Sequence, residues 1–198
     1  MKLRLILYMF CFFVSINMCT AQENKDTRRK IFIENFLSDY KAAYQKEKID
    51  YIRLFFSPDA LMITETRELS KVGKEMAPNS TKTRPYKLLV EDRDTYLSRL
   101  KDVFDKNGGI NIGISNFLIR KHPKYPDIYG VYFFQIWDDS GTVKNLENQM
   151  PGYIFLMLDF RDNEMTPIMH VRTWQPKSNI TKPSDKYTLE DFTIISYK

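Results

Sequence analysis

The stretch YKAAYQKEKIDYIRLFFSPDALMI, Tyr40 to Ile63, passes through three hydrophobic patterns in succession. Its first residues continue an apolar repeat with a spacing of four, which predicts an amphipathic helix over residues 28–45. Asp50 is then a suitable N-cap for a second, shorter helix. The SPD turn that follows ends this helix, and residues 60–66 have the composition of a first strand.

Beyond this stretch the pattern changes from helix to sheet. The polar and basic residues 67–85 predict a mobile loop or hairpin tip, and residues 86–90 predict a second strand. A third helix is predicted over residues 92–109, with acids in its first turn and a glycine at its end. Four more strands follow: residues 110–120, 128–138, 152–161 and 168–175. Short links between these strands indicate an antiparallel meander, so the predicted class is an α+β two-layer domain.

The N-terminus has the composition of a secretory leader. Lys2 and Arg4 precede an uninterrupted apolar run over residues 5–14. This run is too short to span a bilayer, which takes about 20 residues. The small residues Cys19, Thr20 and Ala21 fit a signal-peptidase site, so cleavage between Ala21 and Gln22 is expected. The protein is therefore expected to be exported to the periplasm, the outer surface or the medium, with no membrane span after cleavage.

Cleavage at this point divides the chain into a signal peptide, residues 1–21, and a single domain, residues 22–198. A lipid anchor on Cys19 is an alternative that the bulky Met18 disfavours. Both cysteines of the chain lie in the leader, so no disulfide is expected in the mature protein. Loss of the leader lowers the formal net charge from +5 to +3. Because basic and acidic residues are mixed along the chain, no nucleic-acid partner is expected.

The order of elements resembles the nuclear transport factor 2-like superfamily, which includes the SnoaL-like and cystatin-like cone proteins. The local resemblance consists of Tyr40 on the first helix, the pair Ala42 and Ala43, Asp50, and Asp59-Ala60 before the first strand. It implies a curved antiparallel sheet wrapped around three helices of the N-terminal half. The C-terminal stretches FLMLDFRD and HVRTWQP are similar to a secreted bacterial subgroup without an established activity.

This superfamily contains enzymes and non-catalytic binding modules. Its ketosteroid isomerases combine a tyrosine on the first helix with a general-base aspartate on the first strand. Alignment through Asp59-Ala60 places Tyr40 at the tyrosine and Thr64 at the base. Glu65 is one residue further along and is expected to face away from the pocket, because side chains alternate along a strand. The resemblance therefore favours binding over proton abstraction.

The stretch IMHVRTWQP, residues 168–176, is the strongest candidate for a site. Alternation along a strand places His170, Arg172 and Trp174 on one face. His170 suits a general base or a ligand contact, or it has a structural role opposite either Asp159 or Leu158, depending on the strand register. Arg172 beside Trp174 is typical of a surface that stacks a ring or holds a carboxylate.

Six residues are expected to contact a ligand: Tyr40, Tyr44, Trp137, His170, Arg172 and Trp174. Tyr40, His170 and Asp159 are the weaker candidates for a catalytic role, with Asp138 as a further acid. No spacing of histidines, cysteines and carboxylates indicates a metal site, and no motif indicates a cofactor.

Two strands are apolar on both faces. In residues 128–138 and 153–160, large hydrophobic side chains occur at both odd and even positions. The outer face of the sheet is therefore expected to be covered, and a homodimer through the sheet is the favoured cover over a ligand or the C-terminal segment. The expected function is an exported, non-catalytic domain with a cone-shaped pocket for a small apolar or carboxylated ligand, or for a protein partner. A SnoaL-like or ketosteroid-isomerase-like lyase, isomerase or cyclase is the alternative.

Overall fold

The computed structural model describes residues 25–107, 110–138 and 149–193. The expected leader, residues 1–21, lies outside the described residues. Within them the helices are α1 over residues 25–45, α2 over Ile49–Arg53 and α3 over Arg93–Asn107. The expected N-cap role of Asp50 is wrong, since α2 begins one residue earlier and its N-cap position is Lys48.

Six strands form one mixed, mostly antiparallel sheet. They are β1 (Phe56–Leu69), β4 (Tyr86–Asp92), β5 (Asn111–Lys121), β6 (Ile128–Asp138), β7 (Gln149–Asp159) and β8 (Ile168–Pro176). The strand order is β4-β1-β8-β7-β6-β5. Strands β5 to β8 are a meander, which confirms the antiparallel succession expected from the sequence. β1 and β8 pair in parallel and join the first hairpin to this meander.

The segment between β1 and β4 is more ordered than the polar composition of residues 67–85 suggests. β1 continues to Leu69, and the short strands β2 (Glu75–Met76) and β3 (Thr83–Arg84) pair with each other. Arg84 is buried there and donates hydrogen bonds to the buried carboxylate of Glu65, 2.7 Å from Nε to Oε2. Of the two alternatives expected for this segment, the hairpin tip is confirmed, and a loop without regular structure is wrong for the part that contains Arg84.

The main hydrophobic core lies between the helices and the inner face of the sheet. Tyr40 and Tyr44 of α1, Leu97 and Leu100 of α3 and Phe133 of β6 are all buried in it. The spacing of four that predicted α1 supplies one face of this core, because residues four apart lie on the same side of a helix. This core fixes α1 and α3 against the inner face of the sheet.

A second hydrophobic cluster covers the outer face of the sheet. Phe155 and Met157 of β7 pack there with Tyr187, Leu189 and Phe192 of the C-terminal segment. The Phe155 and Phe192 rings are stacked with centroids 5.5 Å apart. The C-terminal segment of the same chain thus covers the outer face of β7 at Phe155 and Met157. The homodimer stays a prediction.

The C-terminal segment, residues 177–193, consists of short 3-10 turns. One of them, Leu189–Asp191, begins directly after its N-cap residue Thr188. Among the described residues there is no helix with the length and hydrophobicity needed to cross a membrane.

Candidate functional site

A cavity of about 310 Å³ opens between α3 and the inner face of the sheet. Its lining combines two arginines, two tryptophans and one tyrosine with apolar side chains: Thr64, Tyr96, Arg99, Leu100, Val103, Trp137, Met150, Arg172 and Trp174. Most ligand pockets have this composition, in which a few polar groups orient a ligand within apolar walls. The cavity is the candidate binding site.

Arg172 is the most informative residue of the lining. It is 5% exposed, and its Nε donates a hydrogen bond to the Tyr40 hydroxyl at 3.1 Å. Its guanidinium carbon lies 5.3 Å from the centroid of the Tyr96 ring. Among the described residues, no carboxylate lies within ion-pair distance of the guanidinium. Arginine is always charged in proteins, so the cavity contains a buried cation without an anionic partner from those residues.

Three tyrosines surround this cation. The Tyr40 and Tyr44 rings are in contact, with centroids 4.5 Å apart, and the Tyr44 and Tyr96 hydroxyls are hydrogen-bonded at 2.7 Å. Burial raises the pKa of Tyr44 and of Tyr96, so both groups stay neutral near pH 7. The tyrosines therefore offer hydrogen bonds and ring faces to Arg172 but do not neutralise its charge.

The other cation of the cavity is already paired. Arg99 of α3 donates to both carboxylate oxygens of Glu91, at 2.9 Å and 2.6 Å. This bidentate pair uses most of the hydrogen-bond donors of the Arg99 guanidinium and fixes the position of that group at the cavity edge. Between the two arginines, Arg172 is thus the one with unsatisfied charge.

The aromatic wall comes from two strands. Trp137 of β6 contacts the Tyr44 ring edge-on, with centroids 6.0 Å apart, and Trp174 of β8 lies beside Thr64 of β1 in the sheet register. Both indoles are partly buried and pack against the inner core. A planar ligand would meet ring faces or edges here while its acidic group reaches Arg172.

Gly152 of β7 provides the room for the Trp174 indole. A Cβ built at Gly152 would lie 2.7 Å from two carbons of that ring and 2.6 Å from the Gln175 carbonyl oxygen. Replacement Gly152→Ala should therefore displace Trp174, shift its fluorescence emission and lower the free energy of unfolding by about 1–3 kcal/mol.

The matched control for this prediction is Gly113→Ala in β5. There a Cβ would be 3.8 Å from the nearest side-chain atom, an ordinary contact. This control should leave the emission spectrum unchanged and the stability the same or slightly higher. Equal effects of the two substitutions on emission and stability would contradict the assigned role of Gly152.

His170 lies outside the cavity, so the expectation that it shares a face with Arg172 and Trp174 is wrong. The register of β7 with β8 shifts at His170, where Leu158 pairs with Met169 and Met157 pairs with Val171. This bulge turns Met169 toward the inner core in place of His170. His170 Nε2 instead lies 3.0 Å from Asp159 Oδ2, which is the structural role weighed for it.

Asp159 is likewise an ion-pair residue away from the cavity. Burial alone would raise its pKa, but hydrogen bonds from His170 and Arg161 hold the pKa well below its usual range. A lowered folded-state pKa means that the charged form contributes stability above about pH 4, near the unfolded pKa, and that this contribution is lost as the pH falls further. Wild-type stability should therefore drop steeply between about pH 5 and pH 2.

Substitution Asp159→Asn should reduce this acid sensitivity. The variant should be about 1–3 kcal/mol less stable at neutral pH, because it loses hydrogen bonds to a charged acceptor, and its stability should then fall less with acid. Urea unfolding at a series of pH values measures both effects. The exposed Asp162→Asn substitution is the control, and equal acid slopes for Asp159→Asn and wild type would contradict the assignment.

Two further acids considered from the sequence lie apart from the cavity. Glu65 is fully buried in a polar cluster on the outer side, as strand alternation predicted, while its neighbour Thr64 lines the cavity. Asp138 is buried and is not part of the lining. Among the described residues, the lining contains no aspartate, glutamate or histidine, and no group of three such residues or cysteines is suited to a metal ion.

Of the six expected ligand contacts, three line the cavity, two lie behind it, and the sixth, His170, lies outside it. Trp137, Arg172 and Trp174 form part of the wall, while Tyr40 and Tyr44 contact Arg172 or Trp137 from the core. Sequence reasoning did not single out Tyr96, Arg99 or Met150. Tyr96 lies four residues before Leu100 in α3, and this apolar spacing was the available signal for its proximity to the sheet.

Comparison with known proteins finds similarity of structure but not of sequence. No family model matches the chain, and no curated protein matches it in sequence. Among solved structures, a scytalone dehydratase-like protein from Novosphingobium aromaticivorans superposes with a TM-score of 0.56 at 15% identity. That match covers 78% of this chain and 87% of the other.

Two further structures show the same likeness. An NTF2-like protein of unknown function from Pseudomonas putida has a TM-score of 0.51 at 7% identity, and the match covers 83% of this chain and 94% of that one. Bd1075 from Bdellovibrio bacteriovorus also has a TM-score of 0.51, at 14% identity over 75% of this chain, but the match spans only 41% of that protein. With the curved, unclosed sheet around three helices, these likenesses establish that the chain has the nuclear transport factor 2-like, or cystatin-like, fold.

Proposed function

We propose that this protein is an exported, non-catalytic binding domain whose inner cavity holds a small aromatic carboxylate. The observation that carries the proposal is the buried guanidinium of Arg172 without an acidic partner among the described residues. An isolated buried charge is unfavourable unless it is paired, so its retention favours a ligand that supplies the anion. The planar group of arginine pairs with a carboxylate through two parallel hydrogen bonds.

The size and walls of the cavity restrict the rest of the ligand. A cavity of about 150 Å³ holds benzene, and this one, at about 310 Å³, is roughly twice as large. Its walls are Trp137, Trp174 and Tyr96 together with Leu100 and Val103. These dimensions and side chains suit one or two aromatic rings with an acidic group at the Arg172 end.

The catalytic alternative receives less support from the same geometry. A lyase, isomerase or cyclase of this fold needs a general base within hydrogen-bond reach of its substrate. Thr64 stands where that base is expected, and His170 and Asp159 are paired with each other away from the cavity. A protein partner at the cavity mouth is the other interpretation of the same surface.

Calorimetric titration tests the proposal. Benzoate, cinnamate and 2-naphthoate should bind with one-to-one stoichiometry, and the two-ring acid should bind most tightly because it buries the most apolar surface. The matching neutral amides should bind at least about thirtyfold more weakly, since they cannot pair with the guanidinium. Equal affinity for acids and amides, or no binding of either, would contradict the proposal.

The enzymatic alternative is tested with the same protein samples. Incubation with enolisable ketones or hydroxylated bicyclic substrates should give no turnover above the buffer rate. Turnover that is lost in Arg172→Met but retained in the exposed control Lys30→Gln would instead favour an enzyme.

A further inference from the structure

A second cavity, of about 330 Å³, lies on the outer face of the sheet beneath the C-terminal segment. Its floor is formed by β5, β6 and β7, and residues 183–190 close it from above. The floor side chains are mainly apolar: Leu118, Gly130, Tyr132 and Phe155. Nothing in this cavity overlaps with the inner site, because the sheet itself separates the two.

The C-terminal segment lies directly on the sheet beside this cavity. A Cβ built at Gly130 would lie 2.6 Å from Cγ of Leu189 and 3.0 Å from the Phe155 ring. The absence of a side chain at Gly130 therefore lets Leu189 reach the sheet. Leu189 and Phe155 belong to the outer hydrophobic cluster, so they contribute an apolar part of the lining.

The lining also carries positive charge. Lys186 Nζ lies 4.6 Å from the centroid of the Tyr132 ring and 4.4 Å from that of Tyr153. Arg120 is a second cation in the lining, and Glu190 is its one acid. Among the described residues, neither Lys186 nor Arg120 has a carboxylate within ion-pair distance. The cavity therefore has one positive charge in excess beside an apolar floor.

A hydrogen-bond donor lies next to this charge. The Tyr132 hydroxyl is buried and has no hydrogen-bond partner among the described residues. Burial raises the pKa of Tyr132, so the hydroxyl keeps its proton. A buried donor without an acceptor is uncommon in native proteins and costs free energy. The acceptor that it lacks would also be attracted by the Lys186 ammonium.

We propose that this outer cavity binds the carboxylate of a medium-chain fatty acid. The alkyl chain would lie on Leu118, Phe155 and Leu189, and the carboxylate would pair with Lys186 and accept a hydrogen bond from Tyr132. At roughly 30 Å³ for each water-sized group, the cavity has room for on the order of ten carbon atoms. This site goes beyond the function proposed for the inner cavity and does not depend on it.

Methyl NMR of the leucine-labelled protein distinguishes the two sites in one sample. Monomeric decanoate, kept below its micellar concentration, should shift the methyl signals of Leu118 and Leu189 saturably, whether or not Leu100 of the inner cavity responds. Decanol should bind at least about tenfold more weakly. Lys186→Gln should weaken decanoate binding about tenfold and Tyr132→Phe several-fold, while the exposed Lys30→Gln control should bind as wild type does.

Several outcomes would overturn this inference. Shifts confined to Leu100 would place decanoate in the inner cavity alone, and the absence of any shift would remove the site. Unchanged affinity in both Lys186→Gln and Tyr132→Phe would show that the charge and the hydroxyl do not hold the ligand. A response to anionic phospholipid vesicles without a response to monomeric decanoate would identify a membrane surface contact instead.

Discussion

Replacing Glu65 by alanine is expected to destabilise the fold by about 3–5 kcal/mol, because it removes the shared acceptor of a buried polar cluster. Arg84, Gln175 and Asn179 all donate to this carboxylate, with the shortest contacts 2.7 Å from Arg84 Nε and from Asn179 Nδ2. Without it, the guanidinium of Arg84, which is 4% exposed, has no carboxylate partner among the described residues.

Urea unfolding measures this loss directly. Glu68→Ala is the matched control, since Glu68 is exposed on the same strand and should change stability by no more than about 0.5 kcal/mol. The cluster also joins β1, β3 and β8 to the C-terminal segment, because Arg84 and Gln175 donate to the Asp185 carbonyl oxygen. A loss of less than about 1 kcal/mol in Glu65→Ala would show that the cluster does not hold these elements together.

Substitution Arg172→Met is expected to have opposite effects on binding and on stability. Affinity for an aromatic carboxylate should fall by at least about thirtyfold, because truncation of one partner of a buried charge pair typically costs about 2–5 kcal/mol of binding energy. Stability without ligand should stay the same or rise by about 1–3 kcal/mol, since methionine fills similar space without a buried charge.

A pair of measurements on the same samples separates the two effects. Titration with 2-naphthoate gives the affinity, and urea unfolding without ligand gives the stability. Arg53→Met, at a solvent-exposed ion pair with Asp94, is the control and should leave binding unchanged. A variant Arg172→Met that binds normally, or that is strongly destabilised, would assign Arg172 a structural role in place of a ligand-binding one.

The fold was largely predictable from hydrophobic periodicity. The bounds of β6, residues 128–138, agree with the structure, and the alternation along β1 correctly separated Thr64 from Glu65. These features depend on local patterns of period two or four, which a single sequence contains. Apolar residues on both faces of β6 and β7 also indicated a covered outer face, but the pattern did not identify the C-terminal segment as its cover.

The site was less predictable because it depends on register and on tertiary packing. The bulge at His170 reverses its face relative to Arg172, and no residue type in IMHVRTWQP signals that extra residue. Tyr96 and Arg99 reach the cavity only because α3 crosses the sheet beside β1 and β8. The burial of Arg172 without an acidic partner likewise depends on the side chains that surround it. These side chains come from separate segments of the chain, so the residues next to Arg172 in the sequence do not indicate it.

A crystal structure of the protein with 2-naphthoate tests the central claim most directly. The carboxylate should lie within hydrogen-bond distance of the Arg172 guanidinium, with the naphthalene ring against Trp137 and Trp174. The Arg99–Glu91 pair should stay intact, since it already satisfies Arg99. A carboxylate bound to Arg99 instead, or a ligand outside the inner cavity with no contact to Arg172, would show that Arg172 is not the anion-binding residue.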